Sequence, residues 1–157
     1  MLRSKVRHPI MAEPRSFHFT LGICSLLIIA GCSTSHYERK YLRRVDEVPL
    51  TFQVPQSSAD SAWQRAKYFV ATYTSRKIEQ MDDSSIVCER PSFFDLLLTS
   101  NYGYFVSRSS DGTSTRFTVD CFSGTPPLWS QSRHNAHILA DYIRTGNLPY
   151  PNLIAKR

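Results

Sequence analysis

Hydrophobic and polar positions follow distinct rhythms along the chain, and each rhythm predicts an element. From Val48 to Val54 apolar and polar residues alternate, and the run stops at Pro55. Successive side chains of a strand point to opposite faces, so this segment reads as a short strand, set at a sheet edge by its prolines. The rhythm then changes. Ala59, Ala62, Trp63, Ala66, Phe69, Val70 and Tyr73 recur at helical spacing on one face, with Gln64, Arg65, Lys67 and Arg76 mainly off it. Ser57 and Asp60 make a serine-x-x-acid start signal of the capping-box kind, and the helix is expected to reach about Tyr73–Arg76.

Between Lys77 and Arg90 the polar Asp82-Asp83-Ser84 suggests a turn between two short strands, the second over Ser85–Glu89. Phe93 to Leu98 is strongly apolar and fits either a short helix or a buried strand. Asn101–Ser107 and Thr115–Phe122 flank the Gly-containing run Ser109–Thr113, a hairpin signal. After Pro126-Pro127 a second helix is expected near Ser130, with Ala136, Leu139, Ala140 and Ile143 inward and Gly146 at its C-terminal cap. The tail, with Pro149 and Pro151, reads as irregular. Strand, helix, three or four strands, helix predicts an α+β domain over 48–157: a mostly antiparallel sheet of four to five strands, with two helices on one face. In element order alone this is weakly similar to the TATA-binding-protein-like or helix-grip domains of envelope lipoproteins.

The N-terminal third follows other rules. Residues 1–16 are polar and positive apart from Glu13, and Phe17 to Ile29 is apolar except for His18, Thr20 and Ser25. That apolar run covers about 13 residues, against roughly 20 needed to cross the hydrocarbon of a bilayer. Positive leader, short apolar run and the small residues Ala30-Gly31 describe a secretory signal rather than a membrane span. Met11 would give a leader of more usual length than Met1.

Leu27-Ile28-Ile29-Ala30-Gly31-Cys32 resembles the lipobox of bacterial lipoproteins. The resemblance implies cleavage after Gly31, with 1–31 removed, and a diacylglyceryl thioether on Cys32. Cys24, preceded by Gly22-Ile23, is a poorer match. Ser33 after the modified cysteine implies sorting to the periplasmic face of the outer membrane in a Gram-negative host. The acyl chains would make the membrane itself a partner. Residues 32–47, polar and without sustained period, are expected to be a tether with a helical turn around Tyr37–Arg44. Its basic residues Arg39, Lys40, Arg43 and Arg44 face either solvent or anionic headgroups.

Charge changes little else. The whole chain carries +6, but Arg3, Lys5, Arg7 and Arg15 fall in 1–31 against Glu13, leaving +3 concentrated after Cys32. A nucleic-acid binder needs a basic face with stacking or groove-entering elements, and no nucleic-acid partner is expected.

Cys88 and Cys121 lie on expected strands and form a possible disulfide in an oxidising compartment, or two buried free thiols. In a simple meander the strand Tyr102–Ser107 would separate them by about 9–10 Å, beyond the roughly 7 Å a disulfide spans. His134, His137 and Asp141 share helical spacing but lack a third firm ligand, so no metal is expected and they read as surface residues. The serines lie in polar turns without a nucleophile elbow, glycine loops for phosphate are absent, and Asp82-Asp83 reads as a solvated pair. No catalytic residue or cofactor is therefore expected. Phe93, Phe94, Tyr102, Tyr104, Phe105 and Trp129 are read mainly as core, with Phe93-Phe94 the best exposed contact. The expected role is a tethered, non-enzymatic module binding another envelope protein; the alternative is a lipid or small-ligand carrier with a cavity between sheet and helices.

Overall fold

Among the described residues five strands and three helices account for the rhythms above, and the helical turn expected around Tyr37–Arg44 is a full helix packed on the domain. The computed structural model describes residues 35–92, 101–124 and 129–154. The signal segment, Cys32, and Phe93–Leu98 with Phe93 and Phe94 lie outside the described residues. The elements are α1 (His36–Val45), β1 (Thr51–Pro55), α2 (Gln56–Tyr73), β2 (Ile78–Met81), β3 (Ser85–Cys88), β4 (Tyr102–Ser110), β5 (Ser114–Ser123) and α3 (Trp129–Thr145). A 3-10 turn follows at Pro151–Leu153.

The sheet order is β1-β5-β4-β3-β2, antiparallel throughout. Strands β2 to β5 form a meander, and β1 closes beside β5 as an edge strand, so its proline costs no interior ladder bond. The protein is therefore α+β, with α2 and α3 packed against the sheet. Along β5 the alternate residues Thr115, Phe117, Val119, Cys121 and Ser123 are buried. That period of two continues in β4 at Tyr102, Tyr104 and Val106.

The expected inner face of α2 is buried at every position from Ala59 to Tyr73. Its partners follow from the aromatic contacts. Trp63 lies 6.1 Å from Phe117, which stacks at 5.7 Å on Phe52, while Phe69 meets Tyr104 edge-on at 5.6 Å. Each such ring fully withdrawn from water contributes about 1.5–3 kcal/mol. From α3 come Ala136, Ile138, Leu139, Ala140 and Ile143.

The ends of the elements are fixed by local chemistry, in one case differently from expectation. The Ser57/Asp60 capping box does not form. Pro55 holds the N-cap position with no side-chain cap, and Ser58 Oγ donates back to the Pro55 carbonyl at 3.0 Å. The helix start is instead clipped to the hairpin: Gln56 N–H donates to the Thr113 carbonyl, and Gln56 Oε1 accepts from Ser110 and Thr115. Both tight turns use an aspartate. Asp82 Oδ1 accepts the backbone N–H of Ser84 and Ser85, and Asp111 Oδ1 that of Thr113 and Ser114. Those bonds hold the Asp111 carboxyl at about 2 and push Asp82 below the ordinary carboxylate range, Gln80 contributing most at Asp82. Gly146, at φ 73°, caps α3 by donating its N–H to the Tyr142 carbonyl.

The largest correction concerns 36–47. These residues belong to the compact unit His36–Arg157 and are not a free tether. Tyr41 and Val45 of α1 are buried, and Val48 after it joins the same core. The domain therefore begins about a dozen residues before the Val48 boundary that the sequence suggested.

Candidate functional site

The seam between α1 and α3 gathers the polar side chains singled out from the sequence. Glu38 in the first turn of α1 and Arg43 and Arg44 in the last favour helix formation by opposing the backbone dipole. The helix then lays Tyr41 and Val45 inward. Arg44 Nη2 donates to Asp141 Oδ2 at 3.1 Å, and its guanidinium lies 5.1 Å from the Tyr41 ring centre. Tyr41 also sits 5.2 Å from Tyr150 of the C-terminal tail, so the tail is packed rather than loose, and Ile154 beyond it is buried.

Only one of the two histidines departs from the expected surface position: His134 stays partly exposed, whereas His137 does not. His134 Nδ1 lies 2.6 Å from Asp46 Oδ1, just past the end of α1. His137 is buried and its Nδ1 lies 2.8 Å from the Val48 carbonyl. A carbonyl only accepts, so Nδ1 carries the proton there. Three α3 side chains, His134, His137 and Asp141, thus hold the 44–48 segment in place. They do not converge: no group of three or more His, Cys, Asp or Glu able to hold a metal occurs among the described residues. What sequence reasoning missed is this docking role. The i, i+3, i+7 spacing of the three side chains had marked one face of α3, but nothing in the chain shows which segment meets that face.

The Tyr41 hydroxyl, like Nε2 of His137, is buried without a hydrogen-bond partner among the described residues, and its pKa is pushed up to about 12, mainly by burial, then by the Asp141 charge, with Arg44 opposing. Beside it opens a cleft of about 430 Å³ lined by Tyr37, Lys40, Tyr41, Arg44, Asn147, Pro149 and Tyr150. A smaller polar groove of about 260 Å³ lies between the start of α2 and the hairpin, where Arg108 bridges to Asp60 at 2.9 Å.

The possible disulfide is not formed. Cys88 and Cys121 are free, buried thiols on β3 and β5, with β4 between them. Tyr104 of β4 pairs in register with Cys121, and burial raises the Cys121 thiol well above its ordinary pKa. A buried thiol held neutral is a poor nucleophile. Thr74 Oγ1 lies 3.5 Å from Cys88 Sγ.

The aromatic candidates separate. Tyr102 and Tyr104 are core, whereas Trp129 is 60% exposed at the start of α3. Phe105 points to the sheet face turned from α2 and α3, beside its register partner Val87. Phe122 shares that face and lies over Gly103, where an added Cβ would come within 2.4 Å of the ring. The Arg90 guanidinium lies 6.0 Å from the Phe122 centre. Asp82 and Asp83 are both exposed. Asp82 organises its turn, and Asp83 Oδ1 lies 3.6 Å from Lys67 Nζ.

Among the described residues no helix is long and apolar enough to cross a membrane. The fold and site define an α+β domain in which a basic helix is docked on the helical layer of an antiparallel sheet. No family model, curated protein or solved structure matches the chain.

Proposed function

We propose that this chain is a bacterial envelope lipoprotein, acylated at Cys32, whose α+β domain is a non-enzymatic module that binds another envelope protein. The observation that carries the reading is the run Leu27-Ile28-Ile29-Ala30-Gly31-Cys32 behind a positive leader and a short apolar stretch. It stands only four residues ahead of the folded unit at His36. Ser33 favours the periplasmic face of the outer membrane where the host has one.

Protein binding is preferred to carriage of a ligand because of how the layers pack. Trp63, Phe69, Tyr104, Phe117 and Ile138, all fully buried, occupy the described interface between sheet and helices. A carrier needs a cavity there. Partly exposed Val87, Phe105 and Phe122 lie on the other face of the sheet, where a partner has access to apolar surface.

Crosslinking in intact native cells tests the reading, comparing wild type with Cys32→Ser. A specific envelope protein captured by wild type and lost in the variant is the expected result. Membrane-anchored protein that captures no specific partner and extracts with stoichiometric lipid would favour the carrier instead.

A further inference from the structure

We propose that the outward face of α1 docks on anionic phospholipid headgroups of the membrane that holds the chain, an inference that rests on acylation at Cys32. With Tyr41 and Val45 turned into the core, α1 leaves Arg39, Lys40 and Arg43 exposed. Among the described residues none of the three has an ion-pair partner. The only acid in the helix, Glu38, is half-buried and accepts a hydrogen bond from Asn152 at 2.8 Å. Tyr37, 72% exposed, stands at the rim of the cleft beside Lys40 and Arg44. Tyrosine with basic residues is the side-chain set found at headgroup depth.

Two facts select the membrane as occupant. The first is reach. Four residue-to-residue steps separate Cys32 from His36, and extended chain spans at most about 14 Å over that length. Acyl chains on Cys32 therefore keep the helix close to the lipid surface, where the negative potential extends over a Debye length of about 8 Å. The second is rigidity. The contacts of Arg44, Asp46 and Val48 with α3 hold the helix backbone that carries the cations, so docking loses less backbone freedom than it would for a mobile tether. Docking by this face would give the domain one orientation on the membrane.

The test uses the processed, acylated protein reconstituted into vesicles of phosphatidylcholine alone, or with one quarter phosphatidylglycerol. A fluorophore is placed on Asn147→Cys, exposed on the cleft beside Lys40 and Arg44 and far along the chain from the acyl anchor, and quenching by headgroup-labelled lipid reports proximity. Quenching should be strong on the anionic vesicles, weak on the neutral ones and reversed by salt. Arg39→Gln/Lys40→Gln/Arg43→Gln should lower the docked-to-undocked ratio about a hundredfold, from about fivefold per charge, and Arg39→Lys/Arg43→Lys should retain it. Circular dichroism of each variant confirms the fold. Acyl mass on Cys32 with equal quenching on both vesicles overturns the docking while leaving the lipoprotein reading intact. Absence of acyl mass overturns both. If quenching is equal but crosslinking to a protein in native membranes is lost in the triple variant, α1 belongs to a protein partner and the lipid assignment is wrong.

Discussion

Two substitutions at Tyr41 should move stability in opposite directions. The residue is 6% exposed, its ring packed beside Tyr150 and under Arg44, while its hydroxyl is buried with no partner among the described residues. Tyr41→Phe keeps the ring and removes the stranded hydroxyl, whose desolvation costs about 1–3 kcal/mol. Taking the lower end, the variant should be about 1 kcal/mol more stable, or about 3–5 °C in Tm for a domain of this size. Tyr41→Ala loses the packing of a core aromatic ring, about 3–5 kcal/mol, and the relieved hydroxyl offsets about 1 of it. A net loss of about 2–4 kcal/mol should undock α1 first, seen as faster hydrogen exchange over His36–Val45.

Alkaline pH supplies an independent check at the same residue. Below pH 10 the phenol is neutral in both states. As pH rises past 10 the unfolded chain ionises, while the folded one keeps its proton up to about 12. The native state then binds more protons, so this contribution is present below pH 10 and lost as pH rises through 12. Tyr41→Phe lacks it, and its advantage over wild type in urea denaturation should widen between pH 10 and 12. Other buried tyrosines cancel in the comparison. If Tyr41→Phe is less stable than wild type at pH 7, or the gap stays constant to pH 12, the hydroxyl has a partner and the account of the seam is wrong.

Three further expectations concern the sheet. Gly103→Ala should cost about 1–3 kcal/mol in urea denaturation, because its Cβ would meet the Phe122 ring at 2.4 Å; the cost should shrink when Phe122 is also truncated, and full additivity would contradict the contact. Cys88 and Cys121 should resist thiol reagents until the protein unfolds, and a reductant should leave Tm unchanged. A mass 2 Da below the reduced chain would show the disulfide that the separation of their strands opposes. Asp111, depressed to about 2, supports its turn above the ordinary carboxylate range and loses that support as pH falls through 2. Amide exchange at Ser114, corrected for its intrinsic pH dependence, should therefore accelerate across that window and stay flat if the turn does not need the carboxylate.

The parts of the fold legible in the chain were those with a strong private rhythm. The α2 face from Ala59 to Tyr73, the inner face of α3, the aspartate turn before Ser85 and the Gly112 hairpin each carry their own period or turn chemistry. At 36–45 a helical turn was legible, but its packing on the domain was not. Its inward stripe is only Tyr41 and Val45, with Leu42 partly buried, among four cations, so the segment reads as solvated until α3 is placed against it. For the same reason His137 looked like surface: its burial depends on Val48, 89 residues away. Arg76, expected off the buried face, is itself buried where the chain enters the sheet. Local signals fix where elements start and turn, whereas which polar residues are covered is decided by contacts distant in sequence.

Acylation is read most directly from the mass of the N-terminal peptide of protein extracted from its native membranes. A lipoprotein should yield a chain that begins at Cys32 and carries a diacylglyceryl group on that residue. A chain that keeps residues 1–31, or begins elsewhere with Cys32 unmodified, would contradict the lipoprotein reading.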